Sequence, residues 1–351
     1  MSDRRAGRRF WLTSLGMLAL LAASFLLLFN VIWELQDEQA LAARTGNTLD
    51  VPRHLMDTDL KRVDDGVVVL CYHYFRRTYD PDYMARVLGA VILNLPTLGY
   101  EEFWTTPIAE FERHLRFFRD QGIPVITLDD LADRGDDLPT PAVILTIDDA
   151  DRSVYELVWP LLREYSVTAH LNVPTAKVGQ RWSGLDVCSW EELAEMAASG
   201  NVLLESHGHD MHWKVATDEG YRPSFLHRDG LSAGAPEDLA ALLPDVDDPG
   251  LLSPGVRATL TGAHALAAAD LWTSRRLLET RTGRAPEFLA WPYGFATAGL
   301  DSAAAALGYR GTLSLSAGPW RRGDDLWHLN RYAVTAKTTL ELIGELFRDE
   351  G

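Results

Sequence analysis

From Val67 to Leu315 the chain alternates short apolar runs with amphipathic segments of helical period, the pattern of a parallel sheet built from βα units. Val67–Tyr72 and Ala142–Ile147 read as buried strands, and Pro124–Leu128, Val167–Val173, Val202–Glu205, Phe288–Trp291 and Gly311–Leu315 as further strands. Between them, Ile108–Gln121 carries apolar residues at 108, 111, 115 and 118, one helical face, with Pro107 at its start and Gly122 just past its end. Val154–Glu164 reads as a helix that Pro160 kinks or ends. Trp190–Ser199, Ala265–Thr282 and Leu300–Leu307 read as helices closed by Gly200, Gly283 and Gly308. The alternation fits a barrel or a large open sheet. Residues 213–262, rich in Pro, Gly, Asp and Leu, break the rhythm and read as a flap over a site or as a surface loop.

The N-terminus does not belong to this pattern. Arg4, Arg5, Arg8 and Arg9 precede an uncharged stretch from Phe10 to Trp33. As a helix that stretch is about 36 Å long, enough for a bilayer core of about 30 Å. The arginines place residues 1–9 in the cytoplasm and the chain after Glu34 outside, with Trp11 and Trp33 at interfacial positions. The length favours an uncleaved anchor at 10–33 over a cleaved signal peptide, for which Ala40-Leu41-Ala42 offers a site only after a polar run. Residues 34–65 read as a polar stalk, and 66–351 as the periplasmic or extracellular globular domain.

Composition removes several function classes. With 33 basic and 50 acidic side chains, the net charge of −17 argues against nucleic-acid binding. Eleven Trp, 11 Tyr and 12 Phe exclude a chain that is mainly disordered. Two cysteines exclude a disulfide framework and a Cys-based zinc ribbon, and Cys71 and Cys188 read as a buried and a lone thiol rather than a bridge.

Ligand sites of parallel α/β folds lie at the carboxyl ends of the strands. Here Val67–Tyr72 ends in His73, and Ala142–Ile147 in Asp148-Asp149. Val202–Ser206 runs into His207, His209, Asp210 and His212, and Phe288–Trp291 into Pro292-Tyr293-Gly294. Adjacent carboxylates repel unless solvated or neutralised by a cation, and Asp151 and Ser153 would cap the next helix without them. Three histidines within six residues beside a carboxylate match a two-histidine, one-carboxylate metal site with open positions. Zinc is the default ion, and cobalt, nickel or iron would also be accepted.

These residues resemble the polysaccharide deacetylases with NodB homology (carbohydrate esterase family 4), and most closely the poly-β-1,6-N-acetylglucosamine deacetylase branch, over about residues 66–335. Thr146-Ile147-Asp148-Asp149-Ala150 is similar to the Thr-Phe-Asp-Asp-Gly motif, and Ser206-His207 through His212 to Ser-His-x-x-x-x-His. Trp291-Pro292-Tyr293-Gly294 resembles the third motif, and Leu70-Cys71-Tyr72-His73 the Leu-x-x-His element that this branch carries on its first strand. The resemblance implies a distorted or incomplete (β/α) barrel of the α/β class behind the N-terminal transmembrane helix. It implies a metal held by Asp149, His207 and His212, Asp148 as general base, His73 as general acid, and a Tyr293 backbone N–H on the oxyanion. The implied activity is hydrolysis of the linear amide C–N bond of N-acetyl groups on an N-acetylglucosamine polymer of biofilm type at the cell envelope, with the synthesis or export machinery as a further partner.

Trp291, Pro292, Trp213 and Trp182 are candidates for contact with sugar rings, packing in the core being the alternative for each tryptophan. Ala150 stands where the motif has glycine, and Ala290 where many members carry arginine. His209 reads as a surface residue. Asp324, Asp325, His328 and Arg331 read as structural or surface groups, with Asp325 or Arg331 as the alternative for orienting the site. Two other readings stay open: deacetylation of peptidoglycan, chitin oligomers or O-acetyl esters, and a non-catalytic membrane-tethered glycan binder whose sequence support is Ala150.

Overall fold

The computed structural model describes residues 63, 65–77, 88, 103–182, 184–212, 214–217, 220–226 and 264–347. The expected anchor helix, nearly all of the stalk, Trp213 and most of the 213–262 insertion lie outside the described residues. Among the described residues no helix is long and apolar enough to cross a membrane.

In chain order the first half comprises β1 (Val67–Tyr72), β2 (Tyr74–Arg76), β3 (Thr105–Pro107), α1 (Ile108–Asp120), β4 (Val125–Ile126), α2 (Leu128–Arg134), β5 (Ala142–Ile147), α3 (Trp159–Tyr165) and β6 (Ala169–Val173). There follow β7 (Arg181–Trp182), β8 (Leu185–Asp186), α4 (Trp190–Ala198), β9 (Val202–Ser206), β10 (Lys214–Thr217), β11 (Gly220–Pro223), α5 (Ala265–Thr282), β12 (Phe288–Ala290), α6 (Ala298–Ala306), β13 (Gly311–Leu313), β14 (Tyr332–Ala333) and α7 (Leu340–Glu345). The main sheet runs β13-β12-β9-β6-β5-β1-β14, with β4 added beside the start of β5, and all its pairs are parallel. Its two edges meet through Leu329, which bridges Leu313; Ser314 N–H donates to Leu329 O at 2.8 Å, and Leu329 N–H to Thr312 O at 2.7 Å. The sheet is therefore curled into an incomplete parallel barrel of the kind the family resemblance implies, a choice the alternation alone left open.

Strand periodicity sorts the side chains into two cores. Val67, Val69, Ala142, Ile144, Phe288, Ala290 and Leu313 gather on one side, inside the curl. Val68, Leu70, Tyr72, Val143, Leu145 and Ile147 gather on the other with Phe111, Leu115 and Phe118 of α1. Burial of each Val, Leu, Ile or Phe side chain among them contributes about 1.5–3 kcal/mol. The inward parity continues past the apolar residues. On β1 it passes through Cys71 to His73, on β5 through Thr146 to Asp148, and on β9 through Glu205 to His207. The mouth of the curl is thus lined by the polar ends of the same rows whose apolar beginnings fill it.

Several local expectations are refined. Val154–Glu164 is helical as expected, and Pro160 is accommodated by a π-helical turn over Val154–Val158 that runs without a break into α3, in whose first turn the proline lies. The strand expected at Pro124–Leu128 shortens to β4 because Thr127 caps α2: its hydroxyl accepts from Asp130 N–H at 3.0 Å, and its own N–H donates to Asp130 Oδ2 at 2.9 Å. Both cysteines are buried and free, as expected.

Candidate active site

The site begins with a change of backbone hand. Asp148 keeps the inward parity of β5. Asp149 would face the outer core, but its φ of 71° and the φ of 53° at Ala150 end the alternation and turn its carboxylate into the mouth. Ala150, in place of the motif glycine, therefore occupies a left-handed conformation, and its side chain is buried in the outer core. Tyr74 O–H donates to Asp149 Oδ2 at 2.7 Å, which leaves Oδ1 facing the histidines.

Asp149 Oδ1 lies 3.6 Å from His207 Nε2 and 3.7 Å from His212 Nε2. Donor atoms around a tetrahedral ion with bonds of about 2.0–2.2 Å are separated by about 3.4 Å. The donor set therefore fits a divalent ion of the zinc type, and all three side chains are buried. His207 Nδ1 lies 2.7 Å from Ala290 O, so the ring donates there and Nε2 keeps its lone pair for a cation. The two imidazoles meet edge to face with centroids 4.6 Å apart. Burial pushes the His212 pKa well down, which keeps that ring neutral and able to ligate.

The loop carrying these histidines is fixed from behind by α5. Asp270, fully buried, accepts from His209 N–H at 2.6 Å and Asp210 N–H at 2.7 Å. One turn later Ser274 Oγ lies 2.8 Å from Ser206 Oγ. Burial pushes the Asp270 carboxyl up to about 7, against the two N–H donors, which favour its charged form. Lys177 pairs with Asp210 at 2.6 Å.

Asp148 sits beside this triad, with Oδ2 3.8 Å from His207 Nε2 and 4.0 Å from His73 Nε2. Arg331 donates through Nη1 to Oδ1 at 2.8 Å and through Nη2 to Oδ2 at 2.9 Å, and Asn172 Nδ2 donates to Oδ1 at 2.7 Å. Cys71 Sγ lies 3.5 Å from Oδ2. Burial pushes the Asp148 carboxyl up, but the Arg331 guanidinium, by its charge and its hydrogen bonds, outweighs it and holds it well below the usual carboxylate range. Burial moves the His73 imidazole down, against the pull of Asp148 and Asp149. Trp104 lies over His73 with ring centroids 4.2 Å apart. The arrangement supplies an ionised carboxylate and an imidazole next to a cation-binding triad.

The structure thus brings together His73, Asp148, Asp149, His207 and His212. Tyr293, with a φ of 61°, places its ring 5.7 Å from His212, with Lys214 Nζ 4.5 Å from the ring centroid. Other expectations need correction. Trp291 is fully buried: it shares the outward parity of Leu289, packs on Phe225 and donates through Nε1 to Asp301 at 2.8 Å, so it presents no face to a sugar. Pro292 is buried as well. Trp182 is half-buried, with its ring 4.9 Å from His212, and is the described tryptophan at the mouth next to the ligands. Arg331, weighted toward a structural role, is a fully buried partner of Asp148. His209 is not plain surface, because its Nδ1 lies 3.0 Å from Thr175 Oγ1. Tyr74, Asn172 and Asp270 escaped the sequence reading. Asn172 carried a usable signal, since a polar residue at an inward position of a buried strand needs a partner.

A family model described as "Polysaccharide deacetylase" matches residues 135–312. Over 175 residues the chain is 26% identical to a poly-beta-1,6-N-acetyl-D-glucosamine N-deacetylase of Staphylococcus aureus (strain MRSA252), a match covering 47% of this chain and 58% of that relative. The chain thus spans little more than half the length of the curated relative. Among solved structures, IcaB from Ammonifex degensii superposes with a TM-score of 0.57 at 25% identity, covering 78% of this chain and 94% of that one. A de-N-acetylase from Aggregatibacter actinomycetemcomitans shares the fold, with a TM-score of 0.56 at 19% identity, over 81% of this chain and all (100%) of that one.

Proposed function

The chain belongs to the polysaccharide deacetylase family, and from that premise we propose that it is a metal-dependent hydrolase that removes N-acetyl groups from an N-acetylglucosamine polymer of exopolysaccharide type. The observation that carries this reading is the triad of Asp149, His207 and His212 lying against the ionised pair of Asp148 and Arg331. A divalent ion in the triad supplies Lewis acidity toward the amide carbonyl and toward water. Asp148 takes the proton of the attacking water, because its carboxylate stays ionised beside Arg331. His73, on the same side of Asp148, gives a proton to the departing amine, which is too poor a leaving group as an anion. A Tyr293 backbone N–H is the group assigned to the oxyanion. Asn172 and Arg331 prevent Asp148 from turning away between turnovers.

The anchor at 10–33, an exported domain from residue 66, and service to a polymer-producing or exporting assembly complete the reading. They are supported by the uncharged stretch behind the four arginines and by the S. aureus relative's activity. The test is acetate release from poly-N-acetylglucosamine by the full-length chain, with bound metal quantified, with and without chelator. The expected result is chelator-sensitive release that Asp149→Ala abolishes together with metal binding. Metal-free protein that releases no acetate from poly-N-acetylglucosamine, chitin oligomers or peptidoglycan overturns the hydrolase and leaves a glycan binder. Protease protection in intact cells tests the anchor: digestion of the C-terminal domain from the cytoplasmic side overturns it.

A further inference from the structure

A second set of donors lies beside the first. Cys71, His73 and Asp148 each offer one ligand atom, all within 4.8 Å of one another, and all three residues are buried. We propose that this set is a second, inhibitory metal site that takes a thiophilic divalent ion such as Zn²⁺ or Cd²⁺. The consequence for turnover rests on the proposed roles of Asp148 and His73, whereas the site itself does not.

The spacing is the first argument. Cys71 Sγ and Asp148 Oδ2 are 3.5 Å apart. An ion with a sulfur bond of about 2.3 Å and an oxygen bond of about 2.1 Å at the tetrahedral angle needs about 3.6 Å. His73 Nε2 is 4.0 Å from the same oxygen and must approach by about 0.6 Å to reach the spacing of about 3.4 Å.

Valence is the second argument. Asp148 Oδ1 is committed to Arg331 and Asn172, whereas Oδ2 accepts from Arg331 and faces the Cys71 thiol. An ion that replaces the thiol proton uses the lone pair that the S–H addresses, and breaks no bond to Arg331. His73 is 7% exposed, and its Nδ1 has no hydrogen-bond partner among the described residues, so neither a backbone group nor a carboxylate fixes that ring against the required approach.

Charge is the third. Arg331 and an ion in the Asp149 site both repel a further cation, so this site fills after the first and more weakly. It needs a metal whose bond to sulfur is strong, which selects zinc or cadmium over magnesium or calcium. The exchange is balanced: the ion binds the thiolate, and the thiol proton leaves to water. Once Asp148 and His73 are ligands, neither can move a proton, so the second ion stops the reaction that the first supports.

The experiment titrates the full-length, metal-depleted chain with Cd²⁺, reading the ultraviolet thiolate-to-cadmium band, proton release and bound ion together. The expected result is a first ion without a thiolate band, then a weaker second ion with the band and release of the thiol proton. Cys71→Ala loses the second ion and the band, while Cys188→Ala keeps both. With Zn²⁺ in place of Cd²⁺, acetate release rises with the first equivalent and falls more than about tenfold with the second, and Cys71→Ala abolishes the fall. A second ion without a band in the parent protein overturns the proposal, and so does a band that persists in Cys71→Ala. If that variant does not fold, the parent decides: no thiol proton released with the second ion overturns it. Failure of the hydrolase itself would show as absent acetate release with the cadmium titration unchanged.

Discussion

Arg331 and Asp148, 183 residues apart in the chain, meet through a bidentate pair of hydrogen bonds, both side chains fully buried at the mouth of the barrel. Removing one member of such a pair leaves an uncompensated charge and costs about 3–5 kcal/mol. Arg331→Met is therefore expected to lose that much stability by chemical denaturation. Its pH dependence should also reverse. In the parent protein the folded Asp148 pKa is depressed, so its stabilisation is present above the unfolded value of about 3.9 and is lost as pH falls through the folded value. Without Arg331, burial raises that pKa above the unfolded value, and the same group destabilises the fold as pH rises. The acid limb of kcat/KM moves to higher pH with it. An acid limb that stays where it is in Arg331→Met would show that Asp148 is not the titrating base.

The sequence made this site legible to the extent that strand parity reaches it. His73, Asp148 and His207 continue rows whose apolar members fill the barrel, so their convergence follows from the period of two. Trp291 follows the same rule: it shares the outward face of Leu289, and that parity favours the packing alternative over contact with a sugar. Asp149 breaks the rule through a positive φ, and only the motif resemblance placed it in the site. Asp270 left no signal and Arg331 only the lesser of two readings, because each acts across a tertiary contact with no local pattern: Arg331 follows an irregular segment, and Asp270 lies on a helix whose buried residues mix Ala267, Ala268 and Ala269 with Thr273 and Ser274.

Asp270 holds the loop between the two histidines through both of its oxygens. Asp270→Asn keeps the shape but turns an amide N–H₂ toward one of the two backbone donors. The loss should appear in the metal site, because His207 and His212 flank the held residues. Metal affinity is expected to fall about 10–100-fold, the usual effect of removing a partner behind the ligands. Competition against a chelator measures it. An unchanged affinity in a variant of lower thermal stability would reduce Asp270 to a packing role.

Ala150 shows how the motif glycine can be dispensed with. At a φ of 53° an L-residue pays about 1–2 kcal/mol. Its buried methyl group returns about 0.8 kcal/mol, and a glycine there would lose about 0.5–1 kcal/mol of chain entropy. These terms nearly cancel, so Ala150→Gly is expected to lie within about 1 kcal/mol of the parent by denaturation, with metal affinity retained. Ala150→Val adds a β-branched side chain at a fully buried position where the backbone tolerates it least, and should lose metal through displacement of Asp149. Equal behaviour of the two variants would mean that the turn is not strained.

Two tryptophans separate sugar contact from packing. Trp182 is half-buried at the mouth, its ring 4.9 Å from His212, with Lys177 Nζ 5.8 Å from the ring centroid. Like Tyr293, it is a partly exposed aromatic ring against His212, and so a candidate platform for a pyranose ring beside the triad. Trp182→Ala is expected to raise KM for the polymer about tenfold with kcat changed less than about threefold, the signature of binding shared by ground and transition states. Trp291 is enclosed by Phe225 and tied to Asp301, so Trp291→Ala should instead cost about 3–5 kcal/mol of stability. Trp291→Phe, which mainly forfeits the bond to Asp301, should keep the parent KM. A KM rise in folded Trp291→Phe, or none in Trp182→Ala, would move the substrate path from the His212 side of the mouth to that of β12.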